Sequence, residues 1–227
     1  MDAITPLVKE RPIIFSAAMV RAILEGRKTQ TRRIVKGRAL EWLDDSGFTP
    51  EYVSSPENGL CPYGKPGDRL WVRETFSLET AVEDEAPPHS DGRPLLRRPE
   101  DDFDGYQPLW TQPHYNATDP ARDLCCEREG CAICRDHDCG PHWKPSIHMP
   151  RWASRILLEV VSVRVERLSD ILEADARAEG ISREGVPEDV PDSVVFNKLW
   201  DDIHGVGAFE MNPWLWVVEF KRVNAHA

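Results

Sequence analysis

The run of β-branched residues at 155–166 is the feature that most constrains the fold of this chain of 227 residues. From Glu159 onward apolar and polar residues alternate, so that Val161, Val163 and Val165 share one side. Alternation with a period of two is typical of a strand that packs one face on a core. The run therefore predicts a long strand, and with it a sheet as part of the fold.

Short elements are predicted on both sides of this strand. In chain order they are a strand at 12–15, a helix at 16–25, a turn and strand at 67–74, helices at 170–179 and 192–203, and a strand at 214–223. Strands separated by two or three short helices favour the α+β class. We expect a small mixed β-barrel and not a doubly wound sheet.

The two C-terminal helices carry local signals of their own. Asp170 and Glu173 have the spacing of a capping box, which predicts that they begin the first of these helices. Gly180 is placed to end it. The predicted inward face of the second helix consists of Val194, Val195, Leu199 and Ile203.

Residues 10–223 are predicted to form a single domain with an insertion at 77–143. Within the insertion, residues 79–104 hold nine acidic residues against three arginines, together with four prolines. Such a composition disfavours a packed core. We therefore expect a long irregular and partly flexible excursion, acidic and proline-rich at first and cysteine-rich afterwards.

The overall composition excludes several classes of partner. A net charge of −11 argues against broad binding to duplex DNA, which needs many phosphate contacts. No apolar run approaches the roughly 20 residues of a membrane-spanning helix, and the first residues lack the pattern of a signal peptide. We expect a cytoplasmic protein with no membrane partner. Dinucleotide-binding glycine motifs, phosphate loops and His-Glu-x-x-His motifs are absent from the sequence.

A cationic island stands against this acidic background at Gly26–Arg33, which contains four basic residues in eight. The wider window 9–38 holds nine basic and two acidic residues, a net charge of +7. Such an island on an acidic protein predicts a local anion site, for example for a phosphate or a nucleotide. The alternative is a solvated basic helix end.

Four segments together resemble the ASCH domain, a family whose β-barrel is related to the RNA-binding PUA domain. They are residues 12–36, the Gly-Asp-Arg-Leu-Trp-Val-Arg-Glu segment at 67–74, the helix at 168–180 and the Trp-Val-Val-Glu-Phe segment of the last strand. Residues 61–75 and 145–155 are similar to a phage and prophage branch of the family. The resemblance covers 10–76 and 144–223, and it implies a modified nucleoside or RNA as the partner.

The Gly-Arg-Lys-Thr-x-Thr motif at Gly26–Thr31 is similar to that of the bacterial N4-acetylcytidine amidohydrolases within this family. Hydrolysis of an exocyclic amide needs a nucleophile, a base and a group that orients the base. The resemblance implies Thr31, Lys28 and Glu179, respectively, for these roles. The alternatives are a basic turn before a strand for the first two, and an exposed acid at a helix end for Glu179.

Six residues are candidates for substrate binding: Arg27, Arg32, Arg33, Tyr63, Lys65 and Trp152. The arginines could hold a phosphate or stabilise an oxyanion, and they would lower the pKa of a neighbouring lysine. Tyr63 and Lys65 precede the turn at Gly67 and could line the same mouth of the barrel. Trp152 could stack on a base, or it could be a buried residue that opens the long strand.

The cysteine-rich part of the insertion has the pattern Cys126-x4-Cys131-x2-Cys134-x4-Cys139. Thiolates at such short spacing in a reducing compartment suit a tetrahedral zinc ion. A structural zinc would also explain how a polar, proline-rich segment folds. The alternatives are free thiols and a catalytic metal.

The sequence as a whole predicts hydrolysis of an acylated cytidine such as N4-acetylcytidine, with no cofactor for catalysis. One alternative is a non-catalytic module that binds RNA or reads a modified base. Another is a ribonuclease that uses the basic site without a metal. The last is a phage accessory protein in which the cysteine-rich segment serves for docking.

Overall fold

The structure, a computed structural model, describes residues 8–44, 47–82, 96–97, 109–118 and 143–223. The chain divides into two compact units. The first contains the described parts of 1–13, 18–72 and 155–227, and the second those of 14–17 and 73–154. None of the described helices is long and apolar enough to cross a membrane.

Five α-helices and eight β-strands are present in the described part of the chain. In chain order they are β1 (Glu10–Ile14), α1 (Ala17–Leu24), β2 (Gln30–Ile34), α2 (Arg38–Asp44), α3 (Pro50–Ser54), β3 (Arg69–Arg73), β4 (Phe76–Val82), β5 (Leu96–Arg97), β6 (Leu109–Tyr115), β7 (Leu157–Arg167), α4 (Glu173–Ala178), α5 (Asp192–His204) and β8 (Trp214–Val223). β8 has the predicted bounds, and those of β7 differ from the predicted ones by one or two residues.

The first unit is built on a five-stranded sheet in the order β1-β3-β7-β8-β2. β7 lies in the middle and pairs antiparallel with both β3 and β8. β2 pairs antiparallel with β8 at one end of the sheet, and β1 forms the other end. This sheet with its helices confirms the predicted α+β class. The pairings of the described strands run from β1 to β2 without joining these two strands into a closed barrel.

The core of the first unit lies on both faces of β8. Residues 215–218 of this strand are all at most 1 % exposed. A strand with consecutive buried residues is covered on both faces. Leu215 packs with Phe196 and Trp200 of α5, which covers one of these faces.

The inward face of α5 differs from the predicted one. Phe196 and Trp200 are buried, whereas Val194 and Ile203 are each 50 % exposed. The other two predicted positions are partly buried beside this core. An aromatic pair four residues apart buries more apolar area than valine or isoleucine. The aromatic pair therefore determines how the helix is rotated about its axis.

The predicted capping box of α4 is wrong. The Asp170 carboxylate accepts a hydrogen bond from the backbone N–H of Arg167 at 3.3 Å, which closes a short 3-10 turn before α4. The Glu173 carboxylate accepts from the backbone N–H groups of Asp192 and Ser193, at 2.6 and 3.3 Å. Glu173 thus caps α5, whose first N–H groups have no partner within the helix.

The second unit contains a three-stranded sheet in the order β4-β6-β5. β4 and β6 pair antiparallel, beginning with Phe76 opposite Tyr115. Phe76, Tyr115 and Met149 form a small buried core, against which Trp152 packs partly buried. The segment at 77–143, predicted to be irregular, therefore includes regular strands where the structure describes it.

Candidate active site

The end of α1 sets the position of Lys28. Gly26 has a φ of +76°, a left-handed conformation that glycine adopts at low cost and that ends the helix. The backbone N–H groups of Arg27 and Lys28 then both donate to the carbonyl of Ala22, at 2.9 and 3.0 Å. The turn therefore closes on the helix, and the chain leaves it at Lys28 toward β2.

Lys28 and Glu179, although far apart in sequence, lie side by side. Their backbones form an isolated antiparallel β-bridge. The Lys28 ammonium donates to a carboxylate oxygen of Glu179 at 2.8 Å and to the carbonyl of the same residue at 2.9 Å. Lys28 is 2 % exposed and Glu179 is 7 % exposed. The alternative of an exposed acid at position 179 is therefore wrong, and two of the residues singled out by the resemblance are in direct contact.

The surroundings of Lys28 lower its pKa. Burial is the main cause, because the ammonium loses its hydration. The carboxylate of Glu179 opposes the shift, whereas the positive charges of Arg33 and Arg32 add to it. The pKa of Lys28 therefore lies below the usual value for lysine, which is the direction that a general base requires.

Arg32 is held by three carboxylates. One of its terminal nitrogens donates to Glu179 at 3.1 Å, and the other donates to Asp175 at 3.1 Å and to Glu166 at 3.2 Å. Its side chain is 1 % exposed. Glu179 thus binds Lys28 through one carboxylate oxygen and Arg32 through the other. In this arrangement Arg32 positions Glu179 and is shielded from a ligand.

Arg164 extends the same network across the sheet. It forms ion pairs with Glu166, Glu219 and Asp175, the last at 3.3 Å. These residues were not predicted as part of the site, although the sequence contains a signal for them. Arg164 and Glu166 are two positions apart on one strand and so share a face. Asp175 and Glu179 are four positions apart at the end of a helix, where side chains at this spacing are neighbours.

Thr31 is buried in the edge strand β2, opposite Val218 of β8. Both neighbours of Thr31 in the strand donate hydrogen bonds to Asp175. The side-chain amide of Gln30 donates to the Asp175 backbone carbonyl at 2.7 Å, and Arg32 donates to the Asp175 carboxylate. Because side chains alternate along a strand, Thr31 lies on the other face of β2, together with Arg33. The charge of Arg33 lowers the pKa of Lys28, so Arg33 is within electrostatic range of this lysine. The hydrogen bonds from β2 to Asp175 and Glu179 come from the opposite face, through Gln30 and Arg32.

Arg33 and Tyr63 are near each other. Burial lowers the pKa of Arg33, and the ionised form of Tyr63 and the carboxylate of Glu179 act in the opposite direction. Burial likewise raises the pKa of the Tyr63 hydroxyl, and the charge of Arg33 opposes that shift. Two of the predicted substrate-binding residues are therefore within electrostatic reach of each other, and Arg33 is also within reach of Glu179.

Arg27 lies outside this buried cluster. It donates to Glu25 at 2.8 Å and to the carbonyl of Gly180 at 3.0 Å, and its side chain is 46 % exposed. It lines an open cleft with Arg177 and Arg183. The arginine next to Lys28 in sequence is thus on the surface beside the end of α4.

The remaining predicted residues lie elsewhere. Lys65 is exposed and lines a separate cavity. Trp152 belongs to the second unit, where it packs on the small core. The four cysteines of the predicted zinc site, Cys126, Cys131, Cys134 and Cys139, lie outside the described residues. Within the described residues no group of three or more His, Cys, Asp or Glu side chains is arranged so that it could hold a metal ion.

Comparison of the chain with protein-family models, with curated proteins and with solved structures finds no match. The similarity to the ASCH family therefore rests on the segments and motifs given above.

Proposed function

We propose that this chain hydrolyses the exocyclic amide of an acylated cytidine, such as N4-acetylcytidine, and that its sheet belongs to the barrel architecture of the ASCH and PUA domains. The observation that carries the proposal is the contact of 2.8 Å between the Lys28 ammonium and the Glu179 carboxylate. These positions were selected by a sequence motif and by a distant helix end. Their contact in a buried setting supports a common role.

In the proposed reaction, the neutral amine of Lys28 removes the hydroxyl proton of Thr31, and the Thr31 oxygen bonds to the amide carbonyl carbon. The tetrahedral intermediate then collapses, the bond from carbon to the exocyclic nitrogen breaks, and Lys28 returns the proton to that nitrogen. Water attacks the resulting ester of Thr31 with Lys28 again as the base. The products are cytidine and a carboxylic acid.

Glu179 has two tasks in this scheme. Its carboxylate fixes the position of the Lys28 amine, and it stabilises the ammonium form between the two proton transfers. Arg32 holds the second oxygen of the same carboxylate, so it acts by positioning Glu179. Arg33 shares a strand face with Thr31 and is the arginine best placed to stabilise an oxyanion.

A second candidate function is a non-catalytic reader of RNA or of a modified base. It is favoured by one specific observation: Lys28 and Arg32 are both ion-paired and almost completely buried. A buried ion pair of this kind can hold a fold together without taking part in chemistry. In that case the half-buried Arg33 and Tyr63 would be the contacts for the ligand.

The two functions are distinguished by incubating N4-acetylcytidine with the full chain and measuring cytidine and acetate by mass spectrometry. The variants are Lys28→Arg, which cannot act as a base at neutral pH, and Thr31→Val, which removes the hydroxyl and keeps the shape. Lys198→Arg, on the exposed side of α5, is the matched control. Thermal unfolding of each variant verifies that it is folded.

We expect turnover by the wild type and by Lys198→Arg, and none by folded Thr31→Val or Lys28→Arg. Turnover by Thr31→Val at the wild-type rate would remove Thr31 as the nucleophile. Absence of turnover by the wild type, together with binding of an RNA that contains N4-acetylcytidine, would favour the reader.

A further inference from the structure

A cavity of about 200 Å³ lies in the first unit, between the start of β1 and the turn that precedes β3. Its lining includes three cations, Lys9, Arg11 and Lys65, and a single carboxylate, that of Asp68. Lys28, Thr31 and Glu179 are not part of this lining, so the cavity is distinct from the proposed active site.

Asp68 organises the cations of the cavity. It is 4 % exposed, and its carboxylate accepts a hydrogen bond from Arg11 at 2.8 Å. The backbone N–H groups of Lys9 and Lys65 also donate to it, each at 3.2 Å. One buried carboxylate therefore fixes the backbone at two lysines from different segments of the chain. Lys9 and Asp68 are 59 positions apart in the sequence.

The ammonium groups of Lys9 and Lys65 can contribute positive charge to the cavity. Both are exposed, and neither forms an ion pair with another residue in the part of the chain that the structure describes. Asp68 compensates Arg11 but not the two ammonium groups. Ser54 and Ser55 also line the cavity, and the Ser54 hydroxyl donates to the backbone carbonyl of Glu51 at 3.2 Å.

We propose that this cavity binds a phosphate group, either the free ion or a phosphate monoester of a nucleotide. Three cations face one carboxylate there, so the net charge of +2 complements a phosphate dianion. Sites for drug-sized molecules have volumes of roughly 300–1,000 Å³. The smaller cavity suits an anion the size of phosphate as the group that it encloses. This site does not depend on amide hydrolysis.

The test is a calorimetric titration of the full chain with inorganic phosphate at low ionic strength. The double variant Lys9→Gln/Lys65→Gln removes both ammonium groups while leaving the Asp68 hydrogen bonds to the backbone in place. Lys198→Gln is the matched control, an exposed lysine on α5. We expect saturable binding by the wild type and by Lys198→Gln, and an affinity at least tenfold weaker in the double variant.

Parallel titrations with cytidine 5′-monophosphate and with cytidine identify the source of the phosphate group. Tighter binding of the monoester than of inorganic phosphate points to a nucleotide, and equal affinity points to the free ion; either result supports the site. The proposal is overturned if neither phosphate compound binds the wild type saturably, or if Lys198→Gln weakens binding as much as the double variant does.

Discussion

Gly180 lies against Lys28 so closely that a side chain at position 180 has no room. A β-carbon added to Gly180 would be 2.7 Å from the β-carbon of Lys28 and 2.9 Å from that of Ala22. Gly180 also has a φ of +75°. The glycine that ends α4 therefore allows the backbone after Glu179 to approach the lysine with which Glu179 is paired.

Replacement of Gly180 by alanine should destabilise the protein more than the same change at Gly185. Gly185 has a similar φ of +73°, but a β-carbon there would meet nothing within 4 Å. Gly185→Ala should cost the left-handed strain alone, about 1–2 kcal/mol of unfolding free energy. Gly180→Ala should cost about 1–3 kcal/mol more because of overpacking. Urea denaturation measures both; equal losses would contradict the close approach.

The Lys28–Glu179 pair should show strong energetic coupling in a double-mutant cycle. Lys28→Met and Glu179→Gln each leave a buried charge with less compensation, so each should lower the free energy of unfolding by about 3–5 kcal/mol. The double variant should lose less than the two single losses added together. Chemical denaturation of the four proteins gives the coupling energy. Additive losses would mean that the pair contributes no mutual stabilisation.

The rate of amide hydrolysis should depend on pH through Lys28. Because the neutral amine is the active form, kcat/KM should rise with pH, with a midpoint below 10.5, the usual pKa of lysine. The positive charge of Arg33 lowers the pKa of Lys28. Arg33→Gln should therefore move the midpoint to higher pH, and Lys198→Gln should leave it unchanged. A shift to lower pH in Arg33→Gln would be inconsistent with Lys28 as the base.

Burial raises the pKa of the Cys61 thiol to about 11. The thiolate is the reactive form, and at pH 8 only roughly a thousandth of the Cys61 thiol groups are ionised. Alkylation of Cys61 by iodoacetamide, followed by peptide mass mapping, should be slow in the folded protein and rise about tenfold per pH unit beyond pH 9. In urea the rate should level off near pH 9, as for an ordinary thiol. A plateau near pH 9 in the folded protein would rule out the raised pKa.

The sequence predicts the elements with strong local patterns and leaves out those that depend on distant partners. β7 and β8 are rich in β-branched residues, and the left-handed Gly26 ends α1 where it is expected. The helices α2 and α3 have only seven and five residues, too few for a helical period to stand out.

In the candidate site, too, one contact agrees with the sequence-based expectation and others were not predicted. The contact of Lys28 with Glu179 agrees with the pairing that the motif resemblance implies. The role of Arg32 was expected to be substrate binding, but the structure surrounds its guanidinium with three carboxylates. Those carboxylates come from a strand and a helix more than 130 positions away, namely Glu166, Asp175 and Glu179. Local spacing carries no information about contacts of this range.

The hydrogen bond of 2.8 Å from the Thr29 amide to the Ala178 carbonyl has a consequence for association between molecules. Thr29 directly precedes β2, the last strand of the five-stranded sheet, and the carbonyl of Thr29 accepts from the Phe220 amide of β8. The chain at the end of α4 therefore accepts the hydrogen bond of the Thr29 N–H group at the point where the edge of the sheet begins. Exposed strand edges recruit strands from other molecules. A variant that releases this segment would be prone to edge-to-edge aggregation as well as to loss of Glu179 from the site.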